Sequence, residues 1–413
     1  MIDKTKDYWL ALKPYIYVSN DTFKILLYNT LNADYLEISD EEIKALIDSI
    51  HEKKNLGVSF LSSKELENAH CYKFIEQLCE KGMGDVSDVG DYERKPIRLM
   101  PILNLQRDVE KLRKENDRLI GEGVMHYLTN LILYVNSGCD IKCKNCSSYF
   151  KQVNCCTVNG QPKELSLDVI KQIVLQIEHS PISSIEIMGG NILEYSYLTK
   201  LRNIFSGEIK LNYWIHDENI AKCNDEELID SLQTKTIIVN FPINQELLEC
   251  CLNKTDNNST FNFIVENLSQ FEKAEEIIQN YNLHSHQIIP FYNGNNIDFF
   301  RENIFLTKED ILSEPIEQRK IFCNQKLNSN YFGSLHIYSD GSVRASANTE
   351  LIGNINNDQI IDIIAKEMDI NTAWRKVRNE EPCNSCLYQY LCPPPSNYEH
   401  AIGKYNLCHI INA

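Results

Sequence analysis

The sequence has no apolar run long enough to cross a bilayer, and its opening, MIDKTKDYWLALKPYIYV, lacks the unbroken apolar core of a secretory signal. Both lacks lead us to expect a cytoplasmic protein with no membrane partner. Basic residues are also in deficit, with 41 Lys and Arg against 58 Asp and Glu, a formal charge of −17. A general nucleic-acid binder needs a basic face for phosphate, so that class is excluded. No internal repeat or low-complexity tract interrupts the 413 residues, a length that predicts two or three domains. A disulfide framework is missing too. The 15 cysteines are an odd number with adjacent pairs at Cys155–Cys156 and Cys250–Cys251, and cytoplasmic disulfides are rare.

Eight of those cysteines (Cys71, Cys79, Cys155, Cys156, Cys223, Cys250, Cys251 and Cys323) are scattered and read as small core or surface residues. The other seven form two tight sets. Cys139, Cys143 and Cys146 follow the apolar run LILYV, and Cys383, Cys386, Cys392 and Cys408 lie near the end.

Local patterns divide the chain into four parts. Residues 1–95 predict a winged-helix-like α+β module, with a three-stranded meander over 15–18, 23–29 and 34–38 and a further strand at 56–61. Ser39 and Glu42 have the spacing of a capping box, opening a helix with Ile43, Leu46, Ile47 and Ile50 on one face. A second helix runs through Phe74, Ile75 and Leu78 to Gly82. Residues 96–130 predict an amphipathic linker helix with Leu105, Val109, Leu112 and Leu119 on one stripe. From 131 to 320, strands at 131–135, 183–188, 209–215, 235–241, 259–265 and 286–291 alternate with helical patterns such as 165–179. That alternation predicts an α/β fold, a partial (β/α)6 barrel of the TIM type, with its site at the carboxyl ends of the strands. Residues 321–413 change character, with a hairpin turning at Asp340–Gly341 before the second cysteine set.

Closed zinc sites take four ligands. The first set has the spacing C-x3-C-x2-C and no fourth Cys or His in register. A [4Fe–4S] cluster held by three thiolates leaves one iron open. At the end of a first barrel strand this triplet resembles the radical S-adenosylmethionine (radical SAM) superfamily, with a zinc knuckle or structural thiols as alternatives. The resemblance implies a SAM-binding [4Fe–4S] cluster on Cys139, Cys143 and Cys146. Its open iron takes the amino and carboxyl groups of SAM, and electron transfer yields a 5′-deoxyadenosyl radical that abstracts hydrogen from substrate. The segment MGGN (188–191) stands where the family holds the SAM amino group. Gly189 and Gly190 match, while Asn191 replaces an acidic residue and Asn145 replaces an aromatic one. Asn240 and Glu266, at the ends of the fourth and fifth strands, are candidates for ribose or carboxylate contacts.

The tail resembles a SPASM domain, the auxiliary-cluster domain of peptide-modifying radical SAM enzymes. Cys383, Cys386, Cys392 and Cys408 match the ligands of its outer cluster. Two inner-cluster positions hold Ser346 and Ser396, leaving only Cys323 of that set, so the resemblance implies one auxiliary [4Fe–4S] cluster. A four-cysteine zinc site has the same ligand count. The N-terminal module resembles the RiPP recognition element of ribosomal-peptide maturases. There a leader peptide adds as a strand to a sheet edge, here near DYLEI beside the helix carrying Phe74 and Leu78. The alternative is a structural cap or dimerisation module. Together these marks imply a peptide maturase that installs a thioether, a carbon–carbon cross-link or an epimerised centre in a ribosomal precursor peptide. An electron donor such as flavodoxin or ferredoxin would serve it. The absent inner cluster counts against the thioether. The rival reading is a catalytically degenerate relative that binds peptide beside an active maturase. His336 and His409 read as structural, and no general base or radical-quenching donor stands out among the many Tyr, Cys and His residues.

Overall fold

The computed structural model describes residues 2–21, 23–99, 123–141, 143–144, 146–153, 163–205, 209–256 and 258–410. Asn145, Cys155, Cys156 and the expected linker stripe of Leu105, Val109, Leu112 and Leu119 lie outside the described residues.

Two small antiparallel sheets build the N-terminal module. Strand β1 (Tyr8–Leu12) lies between β5 (Ser59–Leu61) and β6 (Gly84–Asp88), while β2 (Ile16–Asn20), β3 (Ile25–Asn29) and β4 (Tyr35–Ile38) form the expected meander. Helix Glu41–His51 buries Ile43, Leu46, Ile47 and Ile50. Its cap is Asp40, whose carboxylate accepts the backbone N–H groups of Glu42 and Ile43, so the Ser39–Glu42 capping box is corrected by one residue. Helix Ala69–Glu80 stops before Gly82, which has the left-handed φ of +63°. Phe74 and Leu78 are buried in the module's core, in the same cluster as Leu36 and Ile38 of β4. β4 is an edge strand with β3 as its sheet partner.

A nine-stranded sheet forms the centre. Strands β7 (Asn130–Tyr134), β8 (Ser184–Met188), β9 (Lys210–His216), β10 (Thr234–Asn240), β11 (Ser259–Val265) and β12 (His286–Pro290) are neighbours in chain order and all parallel. The fold is therefore mixed α/β with a large parallel sheet. Helical connections make that order possible, since parallel neighbours need a crossover. The sheet continues beyond β7 into β13 (Ser334–Ile337), parallel to it, and then β14 (Ser342–Arg344) and β15 (Gly353–Asn354), both antiparallel. The turn between β13 and β14 falls at Asp340–Gly341, where Gly341 has φ +83° and donates its N–H to Tyr338 O at 2.8 Å.

Alternation along the strands separates two faces. Leu131, Leu133, Ile185, Ile187, Ile237 and Val239 pack with the helices, among them Leu167–Ile177 through Ile170, Ile173 and Ile177. Tyr134, Met188, Trp214, Ile238 and Ile264 face the other way. His336 of β13 is on that second face, buried against the Tyr134 ring, with Nδ1 3.3 Å from the tyrosine hydroxyl. Burial lowers its pKa from 6.5 to about 4. The unfolded chain then binds the extra proton between those values, so His336 stabilises the fold fully above pH 6.5 and progressively less as pH falls to about 4. Replacing it by Phe is expected to flatten the pH dependence of the urea midpoint across that window. An unchanged slope would contradict this assignment.

The tail locks onto the sheet through Trp374. That residue is fully buried, its indole N–H donates to Ser334 O at 2.9 Å, and its backbone N–H is accepted by the buried Glu367 carboxylate. The N-terminal module meets the tail as well: Leu26 and Tyr28 of β3 pack on Ile311, Leu387, Tyr388 and Leu391. Glu37 of β4 receives both Lys308 Nζ and the Tyr388 hydroxyl.

Candidate metal centres

The first cysteine set lies where parallel α/β sheets place chemistry, in the loop after β7. That loop is stapled to the loop after β8. Asn136 donates from Nδ2 to Asn191 O (2.7 Å) and accepts the Gly190 N–H on Oδ1 (2.9 Å), while Asn191 N–H reaches Gly138 O (2.6 Å). The two glycines are required by this contact. A Cβ on Gly189 would stand 2.2 Å from Asn136 Oδ1, and one on Gly190 would stand 1.9 Å from Gly138 O. Their lack of side chains serves loop-to-loop approach, and Gly190 then also lines a small cavity with Cys139 and Cys143. Met188, Trp214 and Ile238 from the second sheet face line the same cavity. Trp214 is held there by Glu186, whose carboxylate accepts the indole N–H and also Asn212 Nδ2 (2.7 Å).

Two residues at strand ends surround Cys143. Asn240 Nδ2 lies 3.5 Å from its sulfur and 3.0 Å from His216 Nε2. Burial opposes protonation of His216, but Asp217, with Oδ1 2.7 Å from Nδ1, and Cys143 raise its pKa to about 10. Two unpartnered acceptors lie next to wall residues without belonging to the wall: Asn191 Oδ1, one residue after Gly190, and Asn240 Oδ1, whose amide nitrogen is near Cys143, are both buried without a hydrogen bond among the described residues. Asn191 Nδ2 is tethered to Glu194 Oε1 at 2.8 Å. A ligand bringing N–H or O–H groups fits these acceptors, because buried polar atoms are costly until satisfied. Glu266 follows β11, but one of its oxygens is committed to Asn293 Nδ2 at 2.6 Å, and the residue is not part of the cavity wall.

In the tail, Cys383, Cys386, Cys392 and Cys408 line one cavity with Arg378. Three of the sulfurs already receive N–H donors: Arg378 Nη1 to Cys383 (3.8 Å), Tyr388 N to Cys386 (3.4 Å) and Asn406 Nδ2 to Cys408 (3.6 Å). Such donors suit thiolates. Burial pushes the thiols up, Cys386 to about 11 and Cys392 to about 12, so metal ligation would release protons. Among the described residues no group of three or more His, Cys, Asp and Glu side chains converges on a single metal ion, in this cavity or the first. Cys323 is not part of this wall. Ser346 is buried in hydrogen bonds with Thr349, and Ser396 caps helix Asn397–Ile402. His409 is exposed, with Nε2 2.9 Å from Arg301 O.

The residues missed from the sequence are Asn136, His216, Glu186 and Arg378. His216 had a usable signal, since it ends the third parallel strand. The partners of Asn136 and Glu186 are tens of residues away, and no local pattern marks Arg378.

No family model matches the chain, and no curated protein matches it. Among solved structures the chain is similar to Streptococcus suis SuiB bound to S-adenosylmethionine, at 13% identity and TM-score 0.40, covering 98% of this chain and 100% of that one. It is similar to SuiB bound to precursor peptide SuiA at 13% identity and TM-score 0.41, with the same coverage. HydG, a maturase of the [FeFe]-hydrogenase, follows at 12% identity and TM-score 0.28, with 63% and 61% covered. At these scores the likeness carries no argument about reaction, ligand or residue role.

Proposed function

We propose that this chain is a radical SAM enzyme that modifies a ribosomally made precursor peptide. The observation that carries the proposal is the pairing of two unlike cysteine sites. Three cysteines follow the first strand of a parallel sheet, two of them on a small cavity whose wall residues Gly190 and Cys143 adjoin the buried, unpartnered acceptors of Asn191 and Asn240, and four cysteines line a second cavity in the tail. Three thiolates leave one iron of a [4Fe–4S] cluster open and four close one, which is the pairing that a SAM-cleaving cluster and an auxiliary cluster would need. Cys139, Cys143 and Cys146 would hold the cluster, which would supply the electron for reductive cleavage of SAM.

The chain's own residues then bind and shield. Asn191 Oδ1 accepts from the SAM amino group, and Glu194, hydrogen-bonded to Asn191, brings the carboxylate charge that position 191 lacks. Asn240 accepts from SAM through its free oxygen while its amide donates toward Cys143. Gly189 and Gly190 keep the loops after β7 and β8 in contact, with Asn191 bonded to Gly138 beside Cys139. Met188, Trp214 and Ile238 exclude water from the cavity. Cys383, Cys386, Cys392 and Cys408 hold a single auxiliary cluster, since Ser346, Ser396 and Cys323 cannot complete a second. The precursor's leader adds to the edge of β4, and a flavodoxin- or ferredoxin-class protein supplies electrons.

Anaerobic reconstitution with iron and sulfide tests this. About eight irons per chain are expected, with 5′-deoxyadenosine formed from SAM under a strong reductant. Changing Cys139, Cys143 and Cys146 together to Ala is expected to remove about half the iron and all SAM cleavage. Full iron without any cleavage, with precursor present, would replace this proposal by the degenerate peptide-binding partner. Zinc in both sites would end both readings.

A further inference from the structure

We propose that the buried pair Arg378–Glu399 sets the reduction potential of the tail cluster, with Arg378 raising it and Glu399 moderating that effect. The inference rests on reading the four-cysteine cavity as an iron–sulfur site.

Arg378 and Glu399 are each 7% exposed. The guanidinium is spread over several acceptors: Nη2 to Glu399 Oε1 (2.7 Å), Nη1 to Cys383 Sγ (3.8 Å) and Tyr405 O (3.3 Å), and Nε to Pro393 O. It also acts electrostatically on Cys392. A buried ion pair is a weak source of stability, because desolvation offsets most of the attraction. Its location is therefore the informative part. One amino group of the guanidinium turns to the Cys383 sulfur and the other to a carboxylate that partly neutralises the charge.

Glu399 is itself oriented. Its second oxygen, Oε2, accepts the Ser396 N–H at 2.8 Å and the Ser396 hydroxyl. Ser396 is the position at which the SPASM resemblance would have a cysteine ligand. Here that position aims a carboxylate at the arginine beside the remaining ligand set.

Reduction of a thiolate-bound cluster adds one electron from an external reductant and so one negative charge. A fixed cation and an N–H···S contact stabilise the reduced form more than the oxidised one, and both are recognised determinants of cluster potential. Removing the cation should make reduction harder. Neutralising Glu399 should make it easier. A role in packing alone would not produce opposite signs.

The test uses the full chain carrying Cys139→Ala, Cys143→Ala and Cys146→Ala, so that only the tail cluster reports. It is reconstituted and titrated with dithionite while EPR follows the reduced cluster. Arg378→Gln is expected to move the midpoint to more negative potential, Glu399→Gln to more positive potential, and Arg378→Lys to stay near the parent. Equal midpoints in the parent, Arg378→Gln and Glu399→Gln at full iron overturn the proposal. If Arg378→Gln does not retain iron, Glu399→Gln decides: a positive shift supports the proposal, and an unchanged midpoint overturns it. A parent that binds zinc or no metal in the tail overturns the cluster reading itself, and this inference with it.

Discussion

Gly190→Ala is expected to cut iron loading from about eight to about four per chain and to abolish SAM cleavage. The added methyl would stand 1.9 Å from Gly138 O and 2.4 Å from Gly138 C, both backbone atoms that no rotamer change can move aside. Relief requires the loops after β7 and β8 to part. Parting them breaks the Asn191 N–H to Gly138 O bond and both Asn136 links, immediately before Cys139. Overpacking of this kind costs about 1–3 kcal/mol, but the larger effect is local, because the loop carrying the first ligand loses its anchor. Gly123→Ala is the matched control, since a Cβ there meets nothing within 4 Å. Iron counting on both variants decides the matter. Full loading of Gly190→Ala would show that the staple does not position the cysteines.

Trp374→Ala is expected to lower stability by about 3–5 kcal/mol, the usual cost of emptying a large buried aromatic site. The side chain is fully buried, lies 5.4 Å from the Phe332 ring and ties the tail to β13 through Ser334. It belongs to the same apolar core as Leu131, Ile185 and Ile237 of the parallel strands. The loss should therefore appear in the whole central sheet, with fluorescence and circular dichroism reporting one shifted urea transition. A variant whose tail melts separately, leaving the sheet transition in place, would show that the tail is an independent unit.

The six parallel strands were legible as short runs rich in apolar, β-branched and aromatic residues, and their bounds match expectation to within one residue. The cause is their two buried faces, which demand apolar side chains at nearly every position. β1 and β6 were not legible. YWLAL has no polar alternation, and GDVSD has one apolar residue to offer. Both are defined by pairing with each other, more than seventy residues apart. The Ser39–Glu42 spacing points one residue early because a capping box is a spacing rule, whereas the actual cap, Asp40, is decided by which backbone turns extended. At the candidate sites the cysteines were plain in the sequence, since ligation fixes both type and spacing. Their supports were not. Asn136, Glu186 and Arg378 act through partners that only the folded chain brings near. The glycines of MGGN were legible as glycines, but their reason changed, from approach to a ligand to approach of one loop to another.

The contact between Glu37 and Tyr388 joins residues 351 positions apart. Tyr388 stands between Cys386 and Cys392, so the loop that carries the tail ligands is covered on one side by a sheet made from the first forty residues. Contacts of such separation close late, because the entropy of ordering the intervening chain must first be met by nearer contacts. During synthesis the N-terminal sheet leaves the ribosome long before its cover exists. The tail loop's thiols are therefore expected to be covered on that side only once this long-range contact has closed.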